Sequence, residues 1–253
     1  MPRLPENFFP DEISNGRPHC DDDIEELELL ETIREAMLKK ERIEPYFFLI
    51  ERSNLISFDK LNDARRMVQQ FCGDHLTNGN ILYPSIYIIS YAEEASLDVA
   101  QWDNFPITVP EYRSGDGVSL NAAIALALDT YDDLRLNCAC SALHLNPAKL
   151  FIIGTGRSSD DDIADEVCRK LHKEIDGGSV SIHAVGNGPV DVQNFCSYYS
   201  YRNAQKAVYA TLQDAMNIFH HETGDSLTHD VDCPTTSCHD IAECNFNTIT
   251  LPL

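Results

Sequence analysis

YFFLIERSNLISFDKLNDARRMVQQFC, residues 46–72, carries two hydrophobic periods back to back. Tyr46 to Ile50 is a short unbroken apolar run, as in a strand covered on both faces. A polar loop follows, Glu51-Arg-Ser-Asn-Leu-Ile-Ser57. From there Phe58, Leu61, Ala64, Val68, Phe71 and Cys72 return every three or four residues, which is a helix with one apolar face and Ser57 at its N-cap. A buried strand feeding an amphipathic helix through a short loop is the opening half of a parallel β-α-β unit.

The same alternation continues outward. Ser85 to Tyr91 is a second apolar run, and Ala95 to Ala100 follows after only Ala92, Glu93 and Glu94. So short a connection forces an antiparallel pair, so 95–99 is expected to be the one antiparallel edge strand. Leu120 to Leu134 reads as a helix and Lys149 to Ile153 as a strand. Ser159 with Asp160, Asp161 and Asp162 then opens a helix through Ile175 that Gly177-Gly178 stops. Ser179 to Val185 and Lys206 to Tyr209 complete six strands, with short helices at 190–199 and 212–219. The expected fold class is α/β, a doubly wound, mostly parallel six-stranded sheet with helices on both faces. Its ligands would lie beyond the carboxyl ends of the strands, on loops 51–57, 111–119 and 154–160.

The expected organisation is a flexible tail at 1–20, an acidic flanking helix at 21–44, the α/β domain at 45–221 and a cysteine-containing tail at 222–253. Pro45 marks the end of the flanking helix, and Asp21, Asp22 and Asp23 sit where a helix N-terminus favours negative charge.

Charge narrows the function. The 253 residues hold 41 Asp and Glu against 19 Lys and Arg, a formal net charge of −22. A nucleic-acid binder needs a basic footprint, and an anionic membrane surface would repel this chain. No apolar run is long enough to span a bilayer, so no membrane insertion is expected. The nine cysteines favour an extracellular, oxidising compartment. Against that stand a first segment with no apolar signal-peptide core and the lack of any N-x-[ST] sequon, which leave a cytoplasmic location as the alternative.

Six pieces, in order, resemble the von Willebrand factor A (VWA) domain family. YFFLIERSNLISFDKLNDARRMVQQF is similar to its first strand, D-x-S-x-S loop and first helix. IYIISYAEEASLDV is similar to its second strand and antiparallel edge strand, and GDGVSLNAAIALAL to its G-x-T-x-[IL]-x-x-A-[IL] helix start. KLFIIGTGRSSDDD matches the strand ending in T-D-G, VSIHAVGNG the next strand, and AVYATLQDAMNIFHH the last strand and helix. The resemblance covers about residues 45–221. It implies a Rossmann-like fold and a role in adhesion, matrix or complex assembly, with a protein as ligand.

In that family the three loops often form a metal-ion-dependent adhesion site (MIDAS) for Mg²⁺ or Mn²⁺, built from oxygen ligands only. The matching positions here are Glu51, Ser53, Leu55, Val118 and Thr155. Leu55 and Val118 offer carbon, Thr155 a neutral hydroxyl in place of a carboxylate, and Glu51 is one methylene too long. A one-residue slip would make Ser119 the second-loop hydroxyl without restoring the third-loop acid. The expectation is therefore a degenerate site with no metal and no cofactor, its Glu51 seeking Arg52, Arg157 or backbone N–H groups. Gly154-Thr-Gly156 begins like a dinucleotide fingerprint, but Ser159 stands where its third glycine belongs. The tail cysteines and histidines (Cys233, Cys238, His239, Cys244) lack the C-x₂-C pair of a zinc site. With no G-x-S-x-G elbow and no H-E-x-x-H, the chain is expected not to be an enzyme.

Three functions remain. They are a non-enzymatic, metal-independent protein-binding module, a degenerate structural domain acting through its acidic flanking helix, and a metal-dependent adhesion receptor domain. The ends of compact domains often lie close, so in a secreted protein Cys20 is expected to pair with a tail cysteine such as Cys233. Peptide mapping of the non-reduced protein tests this: a linked peptide holding Cys20 is the expected product, and free thiols at both ends would refute it.

Overall fold

The computed structural model describes residues 42–77, 84–101, 107–141, 143–199, 206–222 and 248–251. The chain divides into two units, Met1–Lys40 and Glu41–Leu253. All described residues belong to the second unit, and the tail at 1–20, nearly all of the flanking helix, Cys20 and Cys233 lie outside the described residues.

The sheet contains β1 (Arg42–Glu51), β2 (Pro84–Tyr91), β3 (Ala95–Gln101), β4 (His144–Leu145), β5 (Ala148–Gly154), β6 (Val180–Gly186), β7 (Lys206–Tyr209) and β8 (Thr248–Leu251). Its order is β3-β2-β1-β5-β6-β7-β8, with β4 beside the start of β1. The helices are α1 (Phe58–Thr77), α2 (Leu120–Cys140), α3 (Ala164–Asp176), α4 (Val192–Ser197) and α5 (Leu212–Glu222). This is the expected doubly wound, mostly parallel architecture, and β3 is antiparallel to β2 as its short connection requires.

The count of six strands and one antiparallel pair needs correction. The described sheet has eight strands, and β8 pairs antiparallel with β7, Lys206 opposite Leu251. Four residues, Thr-Ile-Thr-Leu, are too few to show a period at the end of a polar tail. Arg42, Ile43 and Glu44 also leave the flanking helix and open β1. Pro45 does not stop this strand. The Ile43 carbonyl accepts from Asn146 N–H, so the imino nitrogen two residues on faces the same side. There β1 passes from β4, paired at Arg42 and Ile43, to β5, paired from Tyr46, and the missing donor costs no ladder bond.

Alternation along β1 splits the core. Tyr46, Phe48 and Ile50 face one side, with Leu61, Ala64, Val68 and Phe71 of α1 and Leu212, Ala215 and Met216 of α5. Phe47 and Leu49 face the other, with α2 and with Val167, Leu171 and Ile175 of α3. The exposed edge is protected: Ile88 pairs with Val99 and Ile89 with Leu97, leaving Asp98 as the extra residue of a bulge. A bulge bearing an acid hinders pairing of this edge with another strand.

One core residue was not legible as such. His183 on β6 is 7 % exposed and stacks on Phe151 with ring centroids 4.9 Å apart. Burial, helped by the nearby Lys149 charge, lowers its imidazole from 6.5 to about 4. Lys149 is itself held by Glu44 at 2.8 Å and lies over the Tyr46 ring. Between pH 6.5 and about 4 the unfolded chain binds the proton and the folded chain does not, so stability falls with pH through that window and is full above it. The loss is about 3 kcal/mol. Urea unfolding of His183→Phe at a series of pH values should show a flatter profile between pH 6.5 and 4 than the parent, whereas identical profiles would assign the acid sensitivity elsewhere.

Candidate functional site

The loops at the carboxyl ends of β1 and β5 and before α2 converge, as the sheet order requires. Central β1 lies between β2 and β5. Its last residue, Glu51, is fully buried. A buried charge must be matched by donors, and the neighbouring loops supply them. Ser53 Oγ donates to Glu51 Oε1 at 2.5 Å. Thr155 donates to Oε2 twice, from its backbone N–H at 2.7 Å and its hydroxyl at 2.8 Å. Of the partners expected for Glu51, a backbone N–H is the one used. The Arg52 guanidinium instead lies against Gly115, where a Cβ would meet its Nη1 at 2.9 Å.

Gly154 makes room for this arrangement. A Cβ there would come within 2.5 Å of Glu51 Oε2 and 2.7 Å of the Tyr91 hydroxyl. The Tyr91 oxygen is buried and makes no hydrogen bond among the described residues. Burial first, and the Glu51 charge second, raise its pKa well above the ordinary value.

The other matched positions do different work. Leu55 projects outward, 38 % exposed, while its N–H reaches Ser53 Oγ at 3.2 Å. Val118 is a core residue, 7 % exposed, and belongs to the cluster containing Leu120 and Ile124. Ser119, the alternative hydroxyl, donates to the Glu93 carbonyl at 2.5 Å.

Ser159 does not cap the helix that follows it. Its N–H and Oγ both donate to the Val118 carbonyl, and its Oγ accepts from Val118 N–H. Asp160 likewise serves another helix. Asp160 Oδ2 accepts from Ala122 N–H at 2.7 Å and Oδ1 from Asn121 N–H at 3.3 Å, capping α2 from across the loop. The α2 N-cap residue Ser119 makes no side-chain cap bond, so this carboxylate takes that role. Ser158 Oγ and Asn121 Nδ2 also bond Asp160 Oδ1, and the Tyr198 hydroxyl donates to Asn121 Oδ1 at 3.0 Å. No local pattern announces this network, because its members come from three separated segments.

These residues do not fit a hard divalent cation. The donor set is one carboxylate and two hydroxyls, and both hydroxyl protons point at that carboxylate. Each hydroxyl also accepts a backbone N–H, Ser53 Oγ from Leu55 and Thr155 Oγ1 from Arg157. A cation would find a single carboxylate whose charge three donors already match, and carbon at Leu55 and Val118.

No family model and no curated protein sequence matches the chain. Solved structures to which it is similar include VWA2, an ArnB paralog from Sulfolobus acidocaldarius, at 15% identity over 56% of this chain and 34% of that one, TM-score 0.38. Another is manganese-loaded TRAP protein from Plasmodium vivax, at 13% identity over 65% and 69%, TM-score 0.40. A third is proximal thread matrix protein 1 of the mussel byssus, at 12% identity over 71% and 44%, TM-score 0.44. The chain thus spans about a third of the first of these proteins and less than half of the third.

Calorimetry with Mg²⁺ and Mn²⁺ should show no micromolar binding by the parent chain. The combination Glu51→Asp, Leu55→Ser, Val118→Thr and Thr155→Asp restores oxygen ligands at the matched positions and is expected to gain it. Micromolar binding by the parent would overturn the donor-set argument.

Proposed function

We propose that the chain is a non-enzymatic protein-binding module of VWA-like fold whose binding does not depend on a metal. The observation that carries this reading is the closed hydrogen-bonded set around Glu51, which uses the donors a cation would need and ties the loops together without one. With the loops held in this way, recognition rests on the side chains they present to solvent.

Three of the described thiols and two of the described imidazoles are placed for packing, which supports a non-catalytic reading. Burial pushes Cys72 up to about 12 and raises Cys138 and Cys168, away from the reactive thiolate. His172 bonds the Ser197 carbonyl, and His183 is stacked in the core. In these contacts the rings serve the backbone and the packing rather than the activation of a nucleophile.

Affinity capture with the full chain, in buffer with Mg²⁺ and in buffer with chelator, tests the reading. The same specific partners are expected in both. Their complete loss in chelator would favour a metal-dependent receptor. Loss on deleting residues 1–40 alone would assign binding to the acidic segment instead.

A further inference from the structure

We propose that the outer edge of β7 is a strand-acceptor site, at which an extended segment of a partner protein pairs antiparallel to β7 in place of the chain's own β8. The proposal rests on the reading of the chain as a protein-binding module and adds to the loops a second surface, with its own partner chemistry.

The two edges of the sheet differ. At β3 the bulge at Asp98 interrupts the ladder. At the other edge β7 and β8 pair at four consecutive positions, Lys206 with Leu251, Ala207 with Thr250, Val208 with Ile249 and Tyr209 with Thr248. Lys206 is the one charged residue in the two strands. A regular, nearly uncharged edge is the kind that takes up a strand.

Contacts on its inner side hold β7 as a seat. Val208 and Tyr209 pair with Ala184 and Val185 of β6. The Tyr199 hydroxyl bridges the two strands, accepting from Ala184 N–H at 3.2 Å and donating to the Ala207 carbonyl at 2.7 Å. The Ala207 carbonyl therefore faces β6. Main-chain groups alternate along a strand, so Lys206 and Val208 turn their N–H and C=O outward, where Leu251 and Ile249 stand opposite.

The present occupant is replaceable. It is four residues long and lies at the end of the sheet, with β7 as its neighbour there. Elements with so few contacts open most readily. It follows α5 only after residues 223–247, and the effective concentration of a tethered segment falls as the tether lengthens. Strand addition draws affinity from the main chain and specificity from alternate side chains. A partner segment with better cross-strand contacts therefore takes the place of β8.

The seat defines that segment. It has no proline opposite Lys206 or Val208, where main-chain bonds are exchanged. It carries a β-branched residue opposite Val208, as Ile249 does, and no charge opposite Ala207, Val208 or Tyr209, which are buried. A second copy offers the same strand, but the net charge of −22 on each chain opposes its approach.

The probe is a fluorescent peptide of sequence Asn245–Leu253, titrated into the full chain and into the full-length variant Ile249→Pro with Leu251→Pro. The prolines remove the main-chain donors that β8 turns to β7. The folded variant should bind the probe about tenfold or more tightly than the parent, whose own strand competes. A peptide with both prolines should bind neither. Hydrogen exchange on the parent decides the location without any variant: excess probe should deprotect 248–251 while 206–209 stay protected. Random peptides displayed on phage and panned against the parent should enrich for alternating β-branched and uncharged residues, and the probe should displace them.

Equal binding to parent and folded variant, or binding that leaves 248–251 protected, would overturn this location. Enriched peptides that are charged throughout or rich in proline would overturn the partner chemistry. Dimerisation that rises with the concentration of the parent and is lost in the proline variant would make the occupant a second copy and overturn the proposal. If no peptide pairs at this edge while affinity capture still yields the same partners with and without chelator, the proposal fails and the binding-module reading stands. Failure of the peptides and of capture together would overturn both.

Discussion

Glu51 sets the terms for the carboxyl end of the sheet. It ends the central strand, it is fully buried, and its charge has to be satisfied where it stands. The local sequence follows from that need. Ser53 returns a hydroxyl two residues later, and Thr155 offers two donors from the neighbouring strand end. Gly154 withholds a side chain that would strike both the carboxylate and the Tyr91 hydroxyl. Departures from the motif that look independent in the sequence are therefore coupled in space. A longer acid reaches across to Thr155, and the glycine beside it admits the extra methylene.

A second carboxylate extends the same principle. Asp160 leaves the loop after β5 and accepts the free N–H groups at the start of α2. Glu51 thus joins the first loop to the third, and Asp160 joins the third loop to the second helix. Backbone bonds between Asn54 and Gly115, and between Ser159 and Val118, close the remaining sides. Charge-assisted bonds of this kind are stronger than neutral ones. Those to Glu51 are buried, so salt does little to screen them.

The frame was legible because buried parallel strands are apolar throughout and their covering helices are striped. Tyr46 to Ile50 and Ser85 to Tyr91 needed no partner to be recognised. What was missed lacked a local signal. Thr248 to Leu251 is too short to show a period, and Pro45 reads as a stop unless the gap between β4 and β5 is known. Ser159 and Asp160 look like the cap of the helix they precede, yet both bond to the loop and helix near Val118 instead. At the site, residue types revealed which ligand atoms were missing. They did not reveal what replaced them, because the decisive donor is the main-chain N–H of Thr155, which every residue except proline possesses. His183 was hidden for a similar reason, since nothing in its flanking residues distinguishes an imidazole stacked on Phe151 from one on a surface.

Closing the loops with hydrogen bonds changes what the top face can contribute to binding. A metal centre supplies a concentrated charge and an open position, so its affinity is directional and disappears with the ion. A closed carboxylate cluster supplies neither, since its charge is already matched inside the protein. The rim presents side chains of both charges, Asp116 and Glu93 beside Arg113 and Arg157, around an exposed Leu55. The turn that carries Leu55 is itself held by this cluster, since Leu55 N–H reaches Ser53 Oγ, which donates to Glu51.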